Sequence, residues 1–347
     1  MKQFVNELLD KMAVASTFLV KDKVVAVAKN GKPYMNLRLM DRTGDVDAKV
    51  WDNVERYAET FQRDDFVMVR GTASLYMGKM QIVLKDITRC NDDEVALEDF
   101  MPVSAIPTKQ LIQNLNSVIA SLENRYLRKL MEAFCADKEF LSVYAKAPAA
   151  KGMHHVYLGG LLEHSLSVVR LVDVVAPLYQ GVNRDLLVVG ALLHDVGKVN
   201  ELRYERSFDY TDEGRLLGHI TIGVEMITER IGTIPDFPRE LGMLLKHMLL
   251  AHHGQYEYGS PKRPKTLEAI LLHYLDDMDS KVNGVCAHMN KERETTEGHW
   301  TSFHRMYNLN FYLGEKEEKA TGLTDGATSV SEEPQTRSES PNLSLFE

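Results

Sequence analysis

Cysteine is nearly absent from this chain, and long apolar runs are missing altogether. The three cysteines among 347 residues, Cys90, Cys135 and Cys286, lie far apart and form no CxxC pair. That excludes a disulfide framework and argues against a thiolate zinc site, leaving reduced thiols with a packing role. No run reaches the roughly 18 apolar residues of a membrane span. The opening Met1-Lys2-Gln3-Phe4-Val5-Asn6-Glu7 meets an acid before any apolar stretch, unlike a signal peptide. A cytoplasmic protein with no membrane partner is expected. Histidine is missing before His154, which is the first of all twelve.

What is present suits a globular chain of about two domains. Hydrophobic residues at 44% and charged residues at 26% exclude a wholly disordered or collagen-like protein. The net charge of −9 speaks against nucleic-acid binding only if it is evenly spread, and it is not. Residues 13–90 carry 13 Lys/Arg against 10 Asp/Glu, while 91–100 carry five acids and no base. Residues 314–347 carry 3 bases against 8 acids. A mildly basic N-terminal module therefore precedes an acidic junction and an acidic tail.

Within 13–90, alternating β-branched runs occur at Thr17 to Val27, Tyr34 to Asp41, Val46 to Trp51, Phe66 to Leu75 and Lys79 to Ile87. Asn30-Gly31, Thr43-Gly44 and Met77-Gly78 supply turn signals. Between the third and fourth runs, Val54, Tyr57, Ala58 and Phe61 share one helical face. Three strands, a helix and two strands is the order of an OB-fold, a small closed β-barrel; the inserted helix speaks against an SH3-like barrel.

The acids of 91–99 with Pro102 and Pro107 predict a linker over 91–107. Beyond it, Leu111, Leu115, Val118, Leu122, Tyr126, Leu130 and Phe134 recur at three- and four-residue steps, predicting one long helix from Thr108. The pattern stays helical to about Leu313, so 108–313 is expected to be an all-α domain. The tail 314–347, rich in Ser, Thr, Glu and Gly, cannot bury enough surface to offset chain entropy and is expected to be disordered.

The segment Leu192-Leu193-His194-Asp195-Val196-Gly197-Lys198 ends a strongly apolar predicted helix with an imidazole beside a carboxylate. A buried carboxylate must be paired or bound to metal. A helix end capped by Gly197 explains the glycine and His194, but not their companions. These are His164, His219 after Gly218, the pair His252-His253, and Asp276, each set among apolar neighbours.

Taken in order, His, His-Asp, His, His-His, Asp resembles the HD superfamily of metal-dependent phosphohydrolases. The resemblance implies two divalent ions. His164, His194, Asp195 and Asp276 would hold one, and His219, His252 and His253 the other, with Asp195 bridging through its two oxygens. A mixed imidazole and carboxylate set favours Mn²⁺, with Fe, Co²⁺ or Zn²⁺ as alternatives, over Mg²⁺. Such a pair makes a nucleophile of water and stabilises in-line displacement at phosphorus. Asp195 and Lys198 are the expected catalytic residues, Lys198 neutralising a phosphate oxygen. Gly160 stands where some members carry a glutamate for an extra ion, so a third ion is not expected. The Gly-Tyr-Pro signature of cyclic-dinucleotide phosphodiesterases is missing. His273 is read either as a support for the ligands or as core, and His155 as a contact for a substrate phosphate or, with His154, a cap.

An OB-fold set before an HD domain, with the stretches His154 to His164 and Leu271 to Lys281, resembles the YhaM-like 3′ to 5′ exoribonucleases over residues 13–313. This implies Mn²⁺-dependent removal of nucleotides from a free 3′ end of single-stranded RNA, with single-stranded DNA as a second substrate. A hydrolase of free nucleotides or nucleotide signals is one alternative. A non-catalytic nucleic-acid-binding protein with a structural metal site is another, opposed by the full ligand set with Lys198. Base-stacking aromatics and phosphate-binding cations are sought among Tyr34, Arg38, Trp51, Tyr76 and Lys79. Arg38, Tyr76 and Lys79 rank first, and Trp51, ending an alternating strand, is expected in the core. Finally, Asn342-Leu343-Ser344-Leu345-Phe346 resembles the pentapeptide that docks on the sliding clamp, through Asn342, Leu343, Leu345 and Phe346, although the usual first residue is Gln. A homo-oligomer is left open.

Overall fold

The computed structural model describes residues 2–28, 31–91, 94–150, 157–203 and 209–315. β1 (Ala13–Val27), β2 (Pro33–Asp41), β3 (Gly44–Val50), β4 (Phe66–Tyr76) and β5 (Lys79–Arg89) close into a barrel in the order β1-β2-β3-β5-β4. A short helix, α1 (Val54–Ala58), separates β3 from β4. The β3–β5 pair is parallel and the others antiparallel, an OB-fold arrangement. Alternation decides which side chains fill the barrel: in β2, Met35, Leu37 and Leu39 are buried while Arg38 is exposed. With Phe18, Val20, Val69 and Ile82 they form its core. Each such side chain contributes about 1.5–3 kcal/mol. The core starts earlier than the alternation suggests, because Leu8 is also part of it.

Residues 91–107 do more than link. Phe100 is buried against Leu19 and Phe66, with the Phe66 and Phe100 rings 4.8 Å apart. The acids of this segment mask an apolar anchor.

A helical region follows: α2 (Thr108–Ala120), α3 (Arg125–Ala136), α4 (Lys138–Tyr144), α5 (Gly160–Val175), α6 (Arg184–Leu193), α7 (Lys198–Glu201), α8 (Asp212–Gly232), α9 (Arg239–Ala251) and α10 (Leu267–Thr295). The single helix predicted from Thr108 is in fact two. Asn124 caps α3 by accepting from the Tyr126 and Leu127 amides at 3.0 and 3.2 Å. Asp185 accepts from the Glu123 and Asn124 amides at 2.7 and 2.6 Å. Both halves feed the same core, so the apolar periodicity runs through the break. A small hairpin, β6 (Leu202–Arg203) with β7 (Asp209–Tyr210), is also unannounced by the sequence. α6 is buried on every side, as an all-apolar helix must be, and delivers the residues that follow it into the interior.

Residues 289–315 belong to a second unit. Helix ends at Thr295 rather than near Leu313. Beyond it, isolated bridges pair Trp300 with Tyr312 and His304 with Leu309. Among the described residues no helix is long and apolar enough to cross a membrane.

Candidate active site

Five imidazoles converge here, His194, His252 and His253 where α6 and α9 end and His164 and His219 within α5 and α8, and each is oriented through its Nδ1. His194 and His252 are the C-cap residues of α6 and α9, and each ring Nδ1 donates to the carbonyl three residues back, Ala191 at 2.8 Å and Leu249 at 2.7 Å. His164 on α5 donates from Nδ1 to Asp279 at 2.8 Å. His219 donates to Glu201 at 3.1 Å, and His253 to the Tyr258 carbonyl at 2.9 Å. These acceptors can only accept, so Nδ1 carries the proton of each neutral ring, whose Nε2 then has a lone pair for a cation.

Those lone pairs face carboxylate oxygens. His164 Nε2 lies 3.2 Å from His194 Nε2 and 3.1 Å from Asp276 Oδ1. Asp195 Oδ2 lies 3.3 Å from His194 Nε2. The other oxygen of Asp195 lies 3.4 Å from His219 Nε2 and 3.7 Å from His252 Nε2. His219, His252 and His253 offer atoms that lie within 4.8 Å of one another. Asp195 Oδ1, His219 Nε2 and His252 Nε2 are buried without a hydrogen-bond partner. Buried lone pairs aimed at one another are costly unless a cation takes them. The residues present therefore fit divalent metal, and their outer partners are those that hold metal-ligating histidines.

The electrostatics agree. Burial opposes charge on His194, yet Asp195 and Asp276 outweigh it and push its imidazolium up to about 10. A field that holds a proton there also holds a metal ion. Burial works against the Asp195 and Asp276 carboxylates too. Lys198 and His194 still keep Asp195 well below the usual range, and His194 and His164 do so for Asp276. Burial beside His253 and His194 keeps His252 neutral, as a ligand must be. Lys198 Nζ lies 2.7 Å from Asp195 Oδ2. Asp195, Lys198, His219, His252, His253 and Asp276 line one cavity of about 460 Å³.

Glycine sets the spacing of this centre. Gly197 has φ −64°, so it is no left-handed cap. A Cβ there would sit 2.0 Å from the His219 carbonyl oxygen and 2.7 Å from the Gly223 nitrogen, so only hydrogen lets the His194-Asp195 turn meet α8. Within α8, Gly218 takes φ 73°, and this kink brings both the His219 amide (3.0 Å) and Nδ1 onto Glu201.

On the barrel, Trp51 is not in the core. Val50 is the buried end of β3, so the next residue turns outward. Trp51 is 48% exposed and stacks on Tyr34 with centroids 5.3 Å apart. Lys49, overlooked in the sequence, stands 5.7 Å from the Trp51 ring and 5.6 Å from that of Tyr76. Tyr76 pairs with Lys79 across the β4–β5 hairpin, and both line a groove of about 580 Å³ together with Lys49. Arg38 does face outward, but Asp45 at 2.5 Å and Asp47 at 3.4 Å neutralise it.

Two family descriptions match these regions, an OB-fold nucleic acid binding domain over residues 18–89 and an HD domain over 161–281. The 3′-5′ exoribonuclease YhaM of Bacillus velezensis is 36% identical over 266 residues, 76% of this chain and 84% of its own length. That of Geobacillus sp. is 34% identical over 296 residues, 85% of this chain and 90% of its own. The chain belongs to the YhaM family. Listeria monocytogenes YhaM is a further relative, 37% identical over 76% of this chain.

In this YhaM-type chain, His164, His194 and Asp195 form one group and His219, His252 and His253 another, while Asp276 Oδ1 lies 3.1 Å from His164 Nε2. His273 is a support, its Nδ1 bonded to the His252 carbonyl at 2.8 Å. Glu201 and Asp279 escaped notice, although an acid three residues after Lys198 or Asp276 lies one helical turn on. His154 and His155, like Asn342, Leu343, Leu345 and Phe346, lie outside the described residues.

Proposed function

We propose that the chain is a metal-dependent 3′ to 5′ exonuclease of single-stranded RNA, with single-stranded DNA as a second substrate, releasing nucleoside monophosphates. The observation that carries this is Asp195, with Oδ2 toward His164 and His194 and Oδ1 toward His219 and His252. It supports two divalent ions; a mixed imidazole and carboxylate set suits Mn²⁺, Fe, Co²⁺ or Zn²⁺ better than Mg²⁺, and Mn²⁺ is the ion we propose. Two such ions, when bound, lower the pKa of water and stabilise charge on a phosphate undergoing in-line displacement. The chain's own groups do the rest. The five Nδ1 donors fix the ligand atoms before substrate arrives. Lys198 brings a buried ammonium to the cavity where a phosphate oxygen would lie. The stacked pair of Tyr34 and Trp51 beside Lys49 offers a platform for bases and a phosphate partner on the barrel. Water adds to phosphorus, and the 3′ oxygen of the preceding nucleotide leaves with a proton. The 3′ to 5′ direction follows the named activity of the relatives. Free thiols accord with a cytoplasmic site of action.

The test uses one strand labelled at either end, incubated with protein and Mn²⁺. A 3′ label released as mononucleotide at once and a 5′ label giving a descending ladder are expected. Asp195→Ala should abolish both while keeping the helical circular dichroism. Internal fragments, or full turnover by folded Asp195→Ala, would overturn the proposal.

A further inference from the structure

The cavity that holds the metal ligands is also lined by two tyrosines, Tyr258 and Tyr210, that the mechanism above does not use. Tyr258 ends the 3-10 turn Tyr256–Tyr258, and its side chain is 68% exposed. Its backbone is not loose. The Tyr258 carbonyl takes the Nδ1 proton of His253, and the Tyr258 amide donates to Gln255 at 3.2 Å. The buried Ser260 hydroxyl lies 3.1 Å from the Leu250 carbonyl and 2.7 Å from that of Lys262, while the Lys262 amide bonds the same Leu250 carbonyl. The loop is thus pinned to α9, the helix that ends in His252. It carries Lys262, Arg263 and Lys265, all exposed and without an ion pair among the described residues.

We propose that Tyr258 is a substrate-positioning residue that stacks on the base of the 3′-terminal nucleotide. Resting on the exonuclease reading above, this adds what holds the leaving nucleotide. Every base has a π-face, so one ring grips any terminal nucleotide without sequence preference. An exposed ring on a pinned loop loses little entropy on stacking. Because the carbonyl of the same residue orients His253, the position of the base is tied to that of a metal ligand.

The experiment compares two single-stranded RNAs in Mn²⁺, one with an ordinary 3′ nucleotide and one ending in an abasic residue. The wild-type protein should favour the base-bearing end in kcat/KM by about tenfold or more, the effect of one stacked base. Tyr258→Leu should bring that ratio close to one, and Tyr258→Trp should keep it. Both variants retain the backbone carbonyl on His253, so a purely structural role predicts an unchanged ratio. A wild-type ratio near one, or a ratio that survives Tyr258→Leu, overturns the proposal and leaves the exonuclease reading standing. If wild-type protein shortens neither strand, the exonuclease reading falls first and the base contact falls with it.

Discussion

Gly197→Ala tests the spacing of the metal centre directly. The added Cβ would lie 2.0 Å from the His219 carbonyl oxygen, whereas real Cβ contacts essentially never fall below 3.0 Å and ordinary ones begin at 3.4 Å, so the two segments must part by 1.0–1.4 Å. The atom met is backbone, and the next, Gly223 N at 2.7 Å, is backbone too, so no rotamer change relieves the clash. α8 has to move at His219, whose Nε2 faces Asp195 Oδ1 at 3.4 Å. Misplacing a reacting group by about 1 Å costs roughly 10²-fold in rate, about 2.7 kcal/mol. Overpacking costs about 1–3 kcal/mol of stability, or a melting temperature lower by several degrees. Initial rates on a 5′-labelled strand across a Mn²⁺ series, taken well below the melting point, should show the larger loss in kcat with far-ultraviolet dichroism intact. Gly232→Ala, where a Cβ meets nothing within 4 Å, is the control and should stay near wild type. A Gly197→Ala protein with kcat within about twofold of wild type and an unmoved melting temperature refutes the close approach on which the spacing argument depends.

Glu201→Gln removes the carboxylate that holds His219, and loss of such an outer partner weakens metal binding by about 10–100-fold. The half-saturating Mn²⁺ concentration for strand hydrolysis should rise accordingly; an unchanged value would mean that His219 needs no acceptor. Trp51→Ala should weaken single-strand binding by about 1–3 kcal/mol, and Lys49→Ala should flatten its salt dependence by about one phosphate contact. Fluorescence anisotropy over a salt series reads both, and identical curves for wild type and Trp51→Ala would remove the barrel platform.

The barrel was legible because its signal is local: β-branched alternation, turn dipeptides and one helix between the third and fourth strands decide the topology. The helical region was legible in class but not in detail. Apolar periodicity passed through Ser121 to Asn124 because α2 and α3 present their faces to one core. The break depends on Asp185, 61 residues beyond Asn124, accepting two amides. Trp51 was misread for a simple reason of parity. Val46, Ala48 and Val50 point inward, so strict alternation puts residue 51 outside, and reading Trp51 as the inward end of the strand broke that alternation.

The proposed metal ligands themselves stood out because burying imidazoles and carboxylates among leucines is costly and needs a reason. Their supports did not, since three of the five are main-chain carbonyls with no side-chain identity to read: Ala191, Leu249 and Tyr258. Two of those belong to the last turn of a helix, where carbonyls lack intrahelical partners. His194 and His252 each satisfy such a carbonyl through Nδ1 and turn Nε2 into the site. Reading His194 as a satisfied helix end and reading it as a metal ligand are therefore one reading, because the cap is what aims the ligand. The geometry adds an electrostatic gain. The C-termini of α6 and α9 both end at the cluster, and each presents the negative end of its dipole to the place where positive charge would sit. A metal centre assembled at two helix C-termini needs helices that stop on a histidine. His194-Asp195 and His252-His253 stand where those two helices stop, so the sequence displayed the ligands, and only the fold displayed what they hold on to.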